Sequence, residues 1–213
     1  MLNYRDYILP NLLETSVIKE AIYFFITREM LDLPLTESFS DAGVYALYYF
    51  GAFEDYRPLS RINQNARAVE EFSPIYVGKA VPSGSRTART KTSTEQTLFK
   101  RLNEHAKSIN NASNLNLSDF KCRFVILRDN DVDLIVPLEA ALIRLYAPLW
   151  NSCVSGFGIH HPGGGRSGQK KSEWDTLHPG RSFADTLTGK ELDLNKIRGK
   201  ISEYAQKLGN VLK

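Results

Sequence analysis

The stretch "GVYALYYF", residues 43–50, is the most informative in the chain. It is apolar and aromatic and too short for a helix, so it reads as a strand buried on both sides. Three tyrosines make it unusual, because a strand packed for hydrophobicity alone has no use for phenol hydroxyls, which need partners once buried. Alternation places Tyr45, Leu47 and Tyr49 on one face and Val44, Ala46, Tyr48 and Phe50 on the other.

Working outward, "PIYVGKA" (74–80) is a second strand in which Gly78 marks a bulge or a close approach by another group. Between the two strands the polar stretch 51–73 is an insertion, with a short helix expected near Asn65 to Glu71. "FKCRFVIL" (120–127) is a third strand. Upstream, Ile18, Ala21, Ile22 and Phe25 stripe a helix running from Ser16 to Leu31, and Pro34 follows it. Ser93 and Gln96 have capping-box spacing and open a helix of about four turns that carries Arg101 and His105 on one side. "VPLEAALIRLYAPLW" is a helix with Pro137 in its first turn and a stop near Pro148. "SGFGIHHPGGGRSGQKK" reads as a Gly-rich loop, and apolar residues at 194, 197, 201, 204, 208 and 211 form a helical seam.

With 213 residues the chain can bury one good core. It has no apolar run near the roughly 20 residues of a membrane span and no export signal in "MLNYRDYILP", so we expect a cytoplasmic protein. Cys122 and Cys153 are too few for a disulfide framework, and with His160, His161 and His178 they fit no common zinc spacing. A net charge of +3 says little. Its clustering says more: Arg86, Arg89, Lys91, Lys100 and Arg101 lie between Lys79 and Lys107, and Arg166, Lys170, Lys171 and Arg181 form a second basic stretch. Both suit phosphate neutralisation. Gly163 and Gly168 have the gap of a phosphate-binding loop, but Gln169 stands where that motif needs lysine and no apolar strand leads in.

In chain order stand Gly43-Val44-Tyr45, Tyr76-Val77-Gly78, Arg101, His105, Glu139 and Asn151. This series resembles the GIY-YIG nuclease family, with Val44 in place of Ile in the first signature. About thirty residues separate the two signatures where family members often have a short turn. That insertion, together with the terminal helices, "PLW" before Asn151 and "HPGR" at 178–181, resembles the type II restriction endonuclease branch.

The resemblance implies an α+β fold: a small antiparallel three-stranded sheet flanked by helices, with N-terminal, loop and C-terminal helical embellishments. It divides one domain, 1–213, into a helical extension (1–40), a catalytic core (41–153) with its insertion at 51–73, a Gly-rich region contacting DNA (154–190) and a C-terminal helix (191–213). It further implies hydrolysis of double-stranded DNA at a short palindrome, for which a homodimer is the natural solution. A cognate DNA methyltransferase would then be a genetic partner.

Glu139 would supply an anionic oxygen to one Mg²⁺, a hard ion content with few protein ligands. Arg101 would clamp the scissile phosphate. Tyr45 and Tyr76 would bracket the attacking water, with Tyr45 as base, a phenol near a metal and cations having a lowered pKa, or with His105 as the competing base or the residue that takes the proton from Tyr45, and with Lys79 as an assistant. Asn151 would orient a partner or hold a backbone group. Arg166 and Arg181 are candidates to read guanine, with Arg86, Arg89, Lys91, Lys170 and Lys171 as further DNA contacts. A structure-specific repair or mobile-element nuclease, or a DNA-binding protein without catalysis, are the alternatives.

Overall fold

The tyrosine stretch is the second and most deeply buried strand of the computed structural model, which describes residues 16–82, 96–159 and 168–211, with side chains through 208. Arg86, Arg89, Lys91, Ser93, His160, His161 and Arg166 lie outside the described residues. Strand β2 (Ala42–Tyr49) is buried at every position. It pairs antiparallel on one side with β3 (Tyr76–Ala80) and on the other with β4 (Phe120–Leu127). A fourth strand, β1 (Leu31–Asp32), adds to the free side of β4, giving the order β1-β4-β2-β3. The sheet therefore has four strands rather than three. A pairing of two residues, both exposed, leaves no alternation to read in the sequence.

Leu31 was the expected end of a helix. Helix α1 (Ser16–Ile26) ends five residues earlier, where Thr27 Oγ1 donates to the carbonyls of Tyr23 and Phe24 and Arg28 Nε donates to that of Phe24. Those bonds satisfy the orphan carbonyls of the last turn.

Both faces of the sheet are covered, as continuous burial of β2 demands. On one side Tyr45, Leu47 and Tyr49 join Leu98, Leu102, Ala106 and Ile109 of α3 (Thr97–Asn111) and Ile197 and Ile201 of α8 (Leu194–Val211). On the other, Val44, Ala46 and Tyr48 meet Phe25 and Ile26 of α1 and Ile135, Leu138 and Leu142 of α4 (Ile135–Tyr146). Pro137 sits in the first turn of α4 as expected, and Ala147, at φ 41°, turns the chain into Pro148. Every tyrosine in β2 lies on the face that alternation assigns it.

The insertion carries its helix earlier than expected: α2 spans Arg57–Asn65 and only a 3₁₀ turn covers Val69–Glu71. Pro58 at the start of α2 was the available signal. Asn63 fastens this insertion to the sheet, its Nδ2 donating to the carbonyls of Tyr49 and Ser73 and its Oδ1 accepting from Ser73 N–H. The Tyr49 hydroxyl accepts from Phe53 N–H at 2.8 Å, so it closes the turn after a central strand and not a sheet edge.

After α5 (Leu149–Ser152), two short helices, α6 (Glu173–Leu177) and α7 (Ser182–Asp185), follow the Gly-rich stretch that read as loop alone. Each is shorter than the window in which periodicity can be counted. Helix α8 covers the apolar repeat of 194–211 and begins after residues 191–193, and Ile197 and Ile201 are spent on contacts within the chain. No helix among the described residues is long and apolar enough to cross a membrane.

Candidate active site

The ladder between β2 and β3 sets Tyr45 directly opposite Gly78, with Tyr76 two residues away on the same face. The two phenol rings lie 6.2 Å apart. A Cβ on Gly78 would stand 2.5 Å from the Tyr45 hydroxyl oxygen and 2.9 Å from Tyr76 Cε1. Gly78 is thus a place of close approach, within an unbroken ladder and without a bulge.

Helix α3 packs on this face through Leu98, Leu102, Ala106 and Ile109, which turns Arg101 and His105 toward the phenols. The four-residue spacing brings both to one place, as expected. His105 Nε2 lies 2.6 Å from the Tyr45 hydroxyl, and its ring stacks on Phe157 at 4.6 Å, leaving the imidazole 2% exposed. Arg101 donates to the Gly158 carbonyl at 2.7 Å and to Glu104 at 3.1 Å, and also hydrogen-bonds Tyr45. Neither Phe157 nor Gly158 was singled out in the sequence, since nothing about a loop aromatic and glycine signals that they will face a helix from another part of the chain.

Across β3, Lys79 and Glu139 of α4 form a short ion pair. Asn151 bonds the backbone of β3: its Oδ1 accepts from Val77 N–H and its Nδ2 donates to the Val77 carbonyl, both at 2.8 Å. Since β3 is the outer strand, Asn151 and the bond from Trp150 N–H to the Ile75 carbonyl satisfy an edge that would otherwise be open. All seven proposed catalytic residues are therefore engaged around β3 and α3.

The electrostatics bear on one expectation. Burial raises the pKa of Tyr45 well above the ordinary phenol value, more than Arg101 lowers it, and burial raises that of Tyr76 too. The protein's own cations thus do not offset burial at Tyr45, and a bound metal ion, the other cause of the expected lowering, lies outside this balance. For Arg101 burial opposes the charge, but Tyr45, Glu104 and Tyr76 outweigh it and raise the guanidinium pKa. A protonated phenol 2.6 Å from an imidazole nitrogen is a proton donor with its acceptor in place.

Arg181 requires a correction. It is 3% exposed and makes four hydrogen bonds: two to the Asp175 carboxylate at 2.6 and 2.8 Å and two, both at 3.0 Å, to the carbonyls of Phe157 and Gly156. A guanidinium so occupied cannot fork onto a base. It holds the 156–158 loop that supports His105 and Arg101. Its neighbour His178 is likewise structural, with Nε2 2.5 Å from the Tyr56 hydroxyl and Nδ1 2.8 Å from Asn114 Oδ1. Trp150 Nε1 donates to Tyr56. Burial, with Arg181 nearby, pushes the His178 pKa down to about 3 and keeps the ring neutral. The "HPGR" segment is thus a core strut. Lys170 is exposed, and Lys171 pairs with Asp185 at 2.8 Å. Of the cysteines, Cys122 is buried and Cys153 half-buried.

Paired signature tyrosines, a buried imidazole on one of them, an arginine on the same helix and a lone glutamate across the strand define a GIY-YIG nuclease core. The family model of the Eco29kI GIY-YIG domain matches residues 37–205, and the chain belongs to that family, one of type II restriction enzymes of the GIY-YIG class. The match runs past Asn151 through α6 and α7 into α8. No curated protein is found to match the chain.

Nucleases of this class generally use a divalent metal ion. Among the described residues no three His, Cys, Asp or Glu side chains gather to cage one. Glu139, its side chain 15% exposed, already turns a carboxylate oxygen toward the Lys79 ammonium, a cation. That donor set fits a hard ion that keeps most of its waters and takes one carboxylate.

Proposed function

We propose that this nuclease is a site-specific, double-stranded DNA endonuclease of the type II restriction class. The observation that carries the mechanism is the 2.6 Å contact between the Tyr45 hydroxyl and His105 Nε2, with Arg101 beside it. As water attacks phosphorus, its proton passes to the Tyr45 oxygen while the Tyr45 proton passes to His105. In this relay the phenol passes a proton on without ionising in its buried setting, so Tyr45 and His105 both take part. Arg101, anchored on Gly158, offers its guanidinium to the phosphate oxygens as their charge grows. Tyr76 lines the other side of the water. Lys79 orients Glu139, which would hold one Mg²⁺. Bound there, the ion would neutralise phosphate charge and ease departure of the leaving oxygen. Asn151 fixes the strand that carries Tyr76 and Lys79.

Two strands of a palindrome call for two related sites, so the enzyme works as a homodimer in the cytoplasm beside a protecting methyltransferase. Lys170 and Lys171, with Arg86, Arg89, Lys91 and Arg166, supply basic contacts to the duplex.

Sequenced phage or plasmid DNA incubated with the protein in Mg²⁺ and in EDTA, with fragment ends sequenced, tests the reading. Discrete Mg²⁺-dependent fragments sharing one palindrome are expected, and Glu139→Ala should abolish them while DNA binding remains measurable. Cutting confined to branched substrates would move the protein to a repair or mobile-element role, and binding without cleavage to a non-catalytic one.

A further inference from the structure

A groove of about 320 Å³ opens beside His105 and runs along α3 to the segment after Arg181. Arg101, Lys107, Ser108 and Asn111 form one wall, and Ser182 and Phe183 belong to the other. None of Lys107, Ser108, Asn111 or Ser182 has a part in the mechanism above. We propose that this groove seats the backbone of the cut strand next to the scissile phosphate, with Lys107 and Ser182 contacting a flanking phosphate from opposite walls. The inference rests on the nuclease reading of the site.

Three observations carry it. Arg101, His105, Ser108 and Asn111 recur at spacings of three and four, so a single stripe of α3 runs from the catalytic groups into the groove. Ten residues of helix cover about 15 Å, enough to follow a strand past the reacting phosphate. Beside the apolar Phe157, Ile159 and Phe183, the polar part of the lining beyond the catalytic groups has the chemistry of a phosphate track: the Lys107 cation, the hydroxyls of Ser108 and Ser182 and the Asn111 amide, with Lys107 and Ser182 exposed. Lys107 has no ion-pair partner among the described residues. The carboxylate in the groove, Glu104, is paired with Arg101 at 3.1 Å, which offsets its repulsion of phosphate. The far wall is also fixed in place, because Arg181, immediately before Ser182, is locked to Asp175 and to the 156–158 loop. Hydroxyls, amides and cations are the groups that set register on a nucleic-acid backbone without reading bases.

The test uses full-length protein and a short duplex built on its mapped cleavage position. Binding in EDTA is measured between about 50 and 200 mM salt, with single methylphosphonates placed at each phosphate beside the cut. Lys107→Ala should weaken binding about five- to tenfold at every sequence and flatten the logarithmic salt slope by about one, with Lys107→Arg restoring both. One methylphosphonate position should weaken wild-type binding and leave Lys107→Ala unaffected. Ser182→Ala should show the same positional match with a smaller loss. Failure of the wild-type protein to cut any DNA would remove the nuclease reading itself. Cleavage by wild type, with an unchanged slope in Lys107→Ala and no position at which neutralisation and substitution fail to add, would overturn the groove alone.

Discussion

Gly78→Ala adds one methyl group at the most crowded point of the site. The new Cβ would lie 2.5 Å from the Tyr45 hydroxyl oxygen, 2.6 Å from Tyr45 Cζ and 2.9 Å from Tyr76 Cε1. Comfortable contact for such atoms is about 3.5 Å or more, so the rings must retreat by about 1 Å. Tyr45 has nowhere to go: it is fully buried, bonded to His105, and the strand beneath it is laddered on both sides. Overpacking of this kind costs about 1–3 kcal/mol in a closed core. A shift of about 1 Å at the proton-transfer pair should cost about a hundredfold in cleavage rate. Urea unfolding should therefore show a lower midpoint with an unchanged slope, and single-turnover cleavage should fall far more than DNA affinity. An alanine variant that kept the wild-type midpoint and cut within about twofold of the wild-type rate would refute the seating of Tyr45 over Gly78.

Tyr45→Phe removes the relay oxygen but keeps the ring, so cleavage should drop by about 10²–10⁴ while stability falls only by about 0.5–1.5 kcal/mol. Single-turnover rates across pH for this variant and His105→Ala check it; near wild-type cutting by Tyr45→Phe would end the mechanism. Arg181→Ala leaves Asp175, also 3% exposed, as an unpaired buried carboxylate, and the cost should be about 3–5 kcal/mol. Calorimetry would register that loss, whereas a variant that folds normally and merely relaxes base preference would restore Arg181 to the DNA interface. His178 has a folded pKa of about 3, below the ordinary histidine value of about 6.5, so the unfolded state binds the extra proton between those limits. Its contribution to stability is complete above pH 6.5 and declines as pH falls through that window, by about 1.4 kcal/mol per pH unit. Urea midpoints at neutral and mildly acidic pH should show this decline in wild type and a shallower one in His178→Gln; equal declines would contradict a neutral buried ring.

The parts of this protein legible in its sequence are those whose information is local. Alternation in residues 43–50 sorted the tyrosines onto their faces, the four-residue spacing of Arg101 and His105 put them on one side of a helix, and the apolar repeat of 194–211 marked α8. Those periods are properties of a single strand or helix and survive in a one-dimensional string. The resemblance to the GIY-YIG series then supplied the order of the site residues. Tertiary structure decided everything that depends on two distant segments meeting. Only folding shows that Leu31–Asp32 pairs with β4, that Phe157 stacks on His105, that Gly158 anchors Arg101, and that Asn151 closes the edge of β3. It also changed two readings made from residue type. Arg181 looked like a base reader until Asp175 and two carbonyls claimed its guanidinium. Tyr45 looked like a phenol acidified by a metal ion and cations, but among the protein's own groups the cost of burying a phenolate exceeds what Arg101 returns, and burial is a property of the assembled core alone.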